Sequence, residues 1–261
     1  MIVDCFQFFN ELDILEIRLN VLKNTVDRFV LVESLTTQSG LSKDLIFKNN
    51  QDRFSDFRDR ITHVVVDDAP INADFWLAER HMRNACERGL VNLPDDAVIM
   101  VSDVDEIPNP LKLKQVAKAD EDIVLCHRCC YYYLDVSVEQ PGNHRQQLTT
   151  TVFRRKDMQR PDWYRQQRHS LLPFKDAGWH FSFQGGAEAI STKIKTFAHS
   201  EYNLERFTDL TAIRARMRNF RDPFDRPDFV LKRIDIHKEE YPAYLRTNYE
   251  RFLQKGMMFP G

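Results

Sequence analysis

No run of this 261-residue sequence approaches the ~18 consecutive apolar residues that cross a bilayer. The opening residues, MIVDCFQFFNELD, also lack the basic start and long apolar core of a secretory leader. A membrane-spanning role is therefore not expected, and peripheral membrane association is the most the sequence allows. Cysteine is sparse: Cys5, Cys86, Cys126, Cys129 and Cys130 cannot all pair and fit no disulfide framework, which points to a reducing, cytoplasmic setting. Cys126 and Cys129 have zinc-ligand spacing, but no second C-x-x-C or H-x-x-x-H exists to complete a site, so they read as small buried strand residues. A net charge of −2 excludes a broad electrostatic case for nucleic acid. With no internal repeat, low-complexity tract or Gly/Ser linker, residues 1–261 read as a single domain.

What is present centres on residues 97–108, AVIMVSDVDEIP. An apolar, β-branched run predicts a strand over 97–102, and it gives way to Asp103, Asp105 and Glu106 before Pro108 ends it. Strand alternation would put Asp103 and Asp105 on one side as the chain leaves the sheet. Two carboxylates so close repel unless a cation or donors lie between them. Hard ions such as Mg²⁺ or Mn²⁺ favour oxygen ligands of this kind, with phosphates and water completing the shell. An ordinary polar turn is the competing reading. Basic residues cluster at Arg154–Lys156 and Arg160, at Arg165 and Arg168, and along Arg214–Arg221. A basic wall beside an acidic metal site would suit a diphosphate.

Strands are predicted at 2–9, 28–34 and 61–66, and leucines at 12, 15, 19 and 22 mark a helix with Glu11, Glu16, Arg18 and Lys23 on its polar side. A further helix, 75–88, is expected to stop at Gly89, and another spans about 109–119. This alternation predicts an α/β fold around a mainly parallel sheet, with ligands beyond the carboxyl ends of the strands. Strands with polar turns around Pro141-Gly142 follow over 123–155, then a strand near 179–183 and a helical C-terminal part at 204–220 and 241–255.

Eight strings then occur in order: DCFQFFNELDILEIRLNVL (4–22), VDRFVLVES (26–34), ERHMRNACERGL (79–90), SDVDEIP (102–108), YYYLD (131–135), GWHFSF (178–183), KIKTFAHSEYN (193–203) and YPAYLRTNYERF (241–252). Together they resemble glycosyltransferase family 17, the family of the β-1,4-mannosyl-glycoprotein N-acetylglucosaminyltransferases. The resemblance implies a GT-A type fold, a UDP-sugar donor (UDP-GlcNAc), a carbohydrate acceptor and Mn²⁺ or Mg²⁺ at the D-x-D. Residues 1–120 then form the nucleotide-sugar half and 121–261 the acceptor half.

Under that resemblance Asp105 is the direct metal ligand, Asp103 meets metal or ribose, and Glu106 orients them from behind. His199 is a further candidate metal ligand, while His180 is expected to be structural or acceptor-facing. Glu188, after Gly185-Gly186, is the candidate base for an inverting transfer, its rival role being a first-turn glutamate of a helix at 187–198. Arg83 and Asn84 are expected near the diphosphate, and Glu33 near ribose or uracil. A sugar-phosphate nucleotidyltransferase is the alternative, although DCFQFFNELD supplies no Gly-rich basic loop; a non-catalytic carbohydrate- or nucleotide-binding protein is the third reading.

Overall fold

The Val-, Ile- and Phe-rich stretches near the N-terminus are almost wholly apolar, as strands covered on both faces must be. In the computed structural model, which describes residues 1–37, 40–70, 75–140, 143–197, 199–238 and 240–261, they form β1 (Ile2–Phe8), β2 (Arg28–Ser34), β3 (Ile61–Val66) and β4 (Val98–Asp103). Between them lie α1 (Leu12–Leu22), α2 (Ile46–Asn49), a 3-10 stretch at Gln51–Arg60, and α3 (Phe75–Asn84) with a 3-10 continuation at Ala85–Gly89. The chain continues through β5 (Glu106–Pro108), α4 (Pro110–Val116), β6 (Ile123–Tyr131), β7 (Val136–Gln140), β8 (Asn143–His144) and β9 (Gln146–Arg154). Next come α5 (Pro161–Gln167), β10 (Leu172–Phe174) and β11 (Gly178–Ser182). The helical C-terminal part contains α6 (Gly186–Thr196), α7 (Glu205–Thr208), α8 (Leu210–Arg218), β12 (Val230–Arg233), α9 (Ala243–Thr247) and α10 (Tyr249–Gln254). The expected turn at Pro141-Gly142 lies outside the described residues.

One sheet runs through these elements in the order β12-β7-β6-β9-β4-β1-β2-β3. β3, β2, β1 and β4 are mutually parallel, the α/β arrangement the alternation predicts. Beyond them β9 pairs antiparallel with both β4 and β6, and β11 joins parallel to β6 and antiparallel to β5. Gly178 makes the last junction possible, because a Cβ there would lie 2.4 Å from the Ile107 carbonyl oxygen and 2.7 Å from His127 Nε2. Cys126, Cys129 and Cys130 are buried on β6, as expected.

Alternation along β4 sorts its side chains between two cores. Val98 and Met100 pack with α1 and the C-terminal helices, whereas Ile99 and Val101 pack with the α3 and α5 side. The same phase sends Ser102 toward α1 and Asp103 toward α3 and α5. Gly89 has a different reason from the one expected: a Cβ there would lie 2.4 Å from Val30 Cγ1, so close packing against β2 requires glycine.

Candidate functional site

β4 ends at Asp103, so strand alternation does not carry on to Asp105. Val104 and Asp105 form a turn, and β5 begins at Glu106. The turn is fixed from behind by Arg18, which is fully buried. Its Nη1 donates to the carbonyls of Asp103 (3.0 Å), Val104 (3.2 Å) and Glu106 (2.8 Å). Its Nε and Nη2 grip both oxygens of Asp4 at 2.8 and 2.6 Å, and Nη2 also reaches Ser102 Oγ at 2.6 Å. Helical spacing assigns Arg18 to a polar face; in the structure that face meets the end of the sheet instead of water.

Asp103 enters a cage of donors. Gln7 Nε2 donates at 3.2 Å, Arg83 Nη2 at 3.3 Å and Arg165 Nη2 at 3.1 Å. Burial opposes its charge, but Arg165 and Arg83 hold the carboxyl below its ordinary range. Glu106, fully buried, accepts the Asp103 N–H at 2.9 Å and a two-armed contact from Arg165 at 2.8 and 3.0 Å. It orients the turn from behind.

Asp105 turns to the other wall. Its Oδ2 lies 2.8 Å from Lys193 Nζ on α6, and its Oδ1 lies 3.6 Å from His180 Nε2 on β11. Although burial disfavours its charge, Lys193 and His180 hold Asp105 well below the usual carboxylate range. Burial likewise works against the His180 cation, yet Asp105 pushes its pKa up to about 10. His180, expected to be structural or acceptor-facing, lines the cavity as a direct partner of Asp105, with its Nδ1 3.1 Å from Gln147 Oε1.

Both aspartates line one cavity of about 670 Å³ beyond the carboxyl ends of β1, β2 and β4, where an α/β sheet places its ligands. Its wall includes the cations Lys43, Arg80, Arg83, Arg165 and Arg168. Arg168 is half-buried, donates to the Arg165 carbonyl at 2.7 Å, and has no carboxylate within ion-pair distance among the described residues. Burial and the nearby Arg165 and Arg83 lower its pKa, the signature of a cation lacking an anion. Aromatic rings also line it: Trp76 lies edge-on to His199 at 4.7 Å between ring centroids, and Tyr202 stacks on Phe224 at 4.0 Å.

The remaining expected residues divide. Arg83 is 2% exposed and lines the cavity, but its guanidinium is shared among Glu79 (2.6 Å), Asp162 (2.9 Å) and Asp103. It positions Asp103 before it can serve any ligand. Asn84 does not line the cavity; its Oδ1 accepts the Asp162 N–H at 3.0 Å and ties α3 to α5. Glu33 is fully buried behind the cavity, accepting from Phe47 N and His63 Nε2 at 3.0 Å each and from Lys43 at 3.5 Å. Burial would raise its pKa, but His63 and the Phe47 amide bring it down. Glu33 fixes the segment carrying Lys43, whereas ribose or uracil was the expected contact. His199 reaches the cavity mouth with its Nδ1 2.8 Å from Glu201 Oε1.

Glu188 is not brought to the site. It stands in the first turn of α6, outward and exposed, paired with Arg214, where the helix dipole favours an acid. Arg165 and Lys193 are the residues sequence reasoning missed. Arg165 stood in a flagged basic cluster and Lys193 in a recognised string, but nothing local tied either to the acidic turn.

Metal fit turns on the donor set. Among the described residues no three His, Cys, Asp or Glu side chains converge as a protein-only metal cage requires. Two carboxylates facing a cationic cavity do fit a hard divalent ion whose other ligands are substrate phosphates and water. Asp103 and Asp105 are the residues that would hold it.

Fold and cavity together define an α/β protein whose cavity is lined by an acidic pair, by cationic side chains and by aromatic rings. The model of glycosyltransferase family 17 matches residues 1–226, and the chain belongs to that family. It is similar to the human β-1,4-mannosyl-glycoprotein 4-β-N-acetylglucosaminyltransferase, 27% identical over 96% of this chain and 54% of the human protein. The rat protein of the same name is 26% identical over 96% of this chain and 53% of its own. The chain thus spans about half the length of these curated relatives. Among solved structures, a putative glucose-1-phosphate thymidylyltransferase from Bacillus anthracis overlaps at a TM-score of 0.38 and 12% identity, over 69% of this chain and 88% of that one. At that score the overlap carries no argument about chemistry. No helix among the described residues is long and apolar enough to cross a membrane.

Proposed function

We propose that the chain is a metal-dependent, inverting glycosyltransferase that moves N-acetylglucosamine from a UDP-sugar to a carbohydrate acceptor. The observation that carries this reading is one cavity lined by an acidic pair, by arginines and by aromatic rings. Arg168, lacking a carboxylate, suits a diphosphate oxygen, and the rings at 197–224 offer flat apolar area to the C–H face of a sugar. When bound, Mn²⁺ or Mg²⁺ supplies Lewis-acid charge at the departing diphosphate. Asp103 and Asp105 hold that charge in place, and Arg165 keeps Asp103 ionised and aimed.

In the transfer, an acceptor hydroxyl oxygen bonds to the anomeric carbon as that carbon's bond to phosphate breaks, and UDP departs with the electron pair. The hydroxyl proton needs a base. Among the cavity's histidines, His180 is paired with Asp105, whereas His199 carries an orienting carboxylate on Nδ1, so we assign it that task in place of Glu188. A nucleotidyltransferase is disfavoured because only Phe9, Asn10 and Glu11 separate β1 from α1, with no Gly-rich basic loop between them.

Calorimetry with Mn²⁺ and UDP, followed by UDP release from UDP-GlcNAc, tests the reading. Wild type binds and turns over; Asp105→Asn loses at least ~100-fold in turnover, while Glu188→Gln stays within about twofold. Absence of heat with Mn²⁺ and UDP, or full activity in Asp105→Asn, overturns it.

A further inference from the structure

Asp105 already has a cation on it, and that cation is not tied to a second carboxylate among the described residues. Lys193 reaches Asp105 Oδ2 at 2.8 Å and Ser182 Oγ at 3.4 Å from a flexible four-carbon stem, and its side chain is 31% exposed. The helix beneath it is anchored independently, with Ile190 and Ile194 buried and Ser191 Oγ donating to the Thr208 carbonyl at 2.7 Å. His180, held by Gln147, stays beside the other oxygen of Asp105. The guanidinium groups on Asp103 have no such freedom, since Arg83 and Arg165 are each shared with other carboxylates.

We propose that Lys193 is an exchangeable counter-ion: it occupies Asp105 in the donor-free protein, yields that oxygen to an arriving divalent cation, and moves its ammonium onto the donor's diphosphate. This rests on the donor and metal reading above. An ammonium and a metal ion cannot share one carboxylate oxygen at bonding distance without strong repulsion, so each disfavours the other. A diphosphate in the cavity gives the displaced ammonium a new anion. Metal and donor must then bind with positive coupling, and by linkage the coupling is the same in both directions. The ordering has a use, because it keeps the metal site closed until a diphosphate is present.

The test is Mn²⁺ titration followed by electron paramagnetic resonance of free Mn²⁺, with and without UDP. It compares wild type, Lys193→Met and, as a neighbouring exposed lysine on the same helix, Lys195→Met; thermal melts confirm that each is folded. In wild type, UDP should tighten Mn²⁺ binding at least about tenfold. Lys193→Met should bind Mn²⁺ alone at least about fivefold tighter than wild type, and the tightening by UDP, now due to phosphate ligation alone, should be at least about threefold smaller than in wild type. Lys195→Met should match wild type. An unchanged or weaker Mn²⁺ affinity in Lys193→Met, with Mn²⁺ and UDP still binding jointly to wild type, overturns the exchange alone. Failure of wild type to bind Mn²⁺ with UDP overturns the metal and donor reading and the exchange with it.

Discussion

Asp103 and Asp105 stand two residues apart and are held in opposite ways. The wall on Asp103 comes from α3 and α5 and is a network: Arg83 serves Glu79, Asp103 and Asp162, while Arg165 serves Asp103, Glu106 and the Thr149 carbonyl at 2.9 Å. The wall on Asp105 comes from β11 and α6, and its principal cation sits at the end of a partly exposed lysine stem. Removing one member of a buried network strands the others without partners, whereas a flexible single contact can be traded for another. The same acidic turn therefore has a side fixed by folding and a side left adjustable for a ligand.

The largest expected effect strikes the part both walls share. Arg18→Met leaves Asp4 buried without its cation and three turn carbonyls without their donor. It should cost about 3–5 kcal/mol of stability in urea unfolding, and a companion Asp4→Leu substitution should restore part of it. If Arg18→Met unfolds like wild type, the turn is not held from behind. The contrast between the walls is sharpened by Arg83→Met, expected to cost about 3–5 kcal/mol, against Lys193→Met, expected to cost about 1 kcal/mol or less. Equal losses would erase the distinction.

The smallest effect is a control far from both walls. Glu16 joins α1 to Arg53 and to Arg251 and Tyr244 of the C-terminal helices. Burial would raise its pKa, but Arg251, Arg53 and Tyr244 bring it from 4.5 to about 2. A depressed carboxyl stabilises the fold above its ordinary value, and that stability is lost as pH falls through the folded one. Urea midpoints should fall between pH 4.5 and about 2 in wild type and fall less in Glu16→Gln. An identical acid profile in the variant would show that Glu16 contributes no such linkage.

Much of the first half was legible in local pattern. β1 to β4 and α1 fall within a residue or two of where apolar periodicity places them, because burial on one or two faces leaves its period in the chain. The acidic turn was legible too, as an apolar run ending abruptly in carboxylates. Arg18 and Glu16 were not: a polar residue between leucines has the same helical spacing whether it faces water or a buried strand end. Lys193 lies 88 residues from Asp105 and Arg165 lies 62 from Asp103, so no window of sequence contains either pairing. Glu188 was placed in the site by its glycine neighbours, but in the structure α6 turns that first-turn position outward and carries Lys193 inward.

By itself the sequence determined the main elements of the first half, their parallel block and the position of the carboxylates, because these follow from periodicities of two and 3.6 residues along the chain. Which cation meets which carboxylate was decided only by the tertiary structure. Coulombic and hydrogen-bonded partners are set by distance through space and by burial, and here they are supplied by β11, α5 and α6 folding back onto the end of β4.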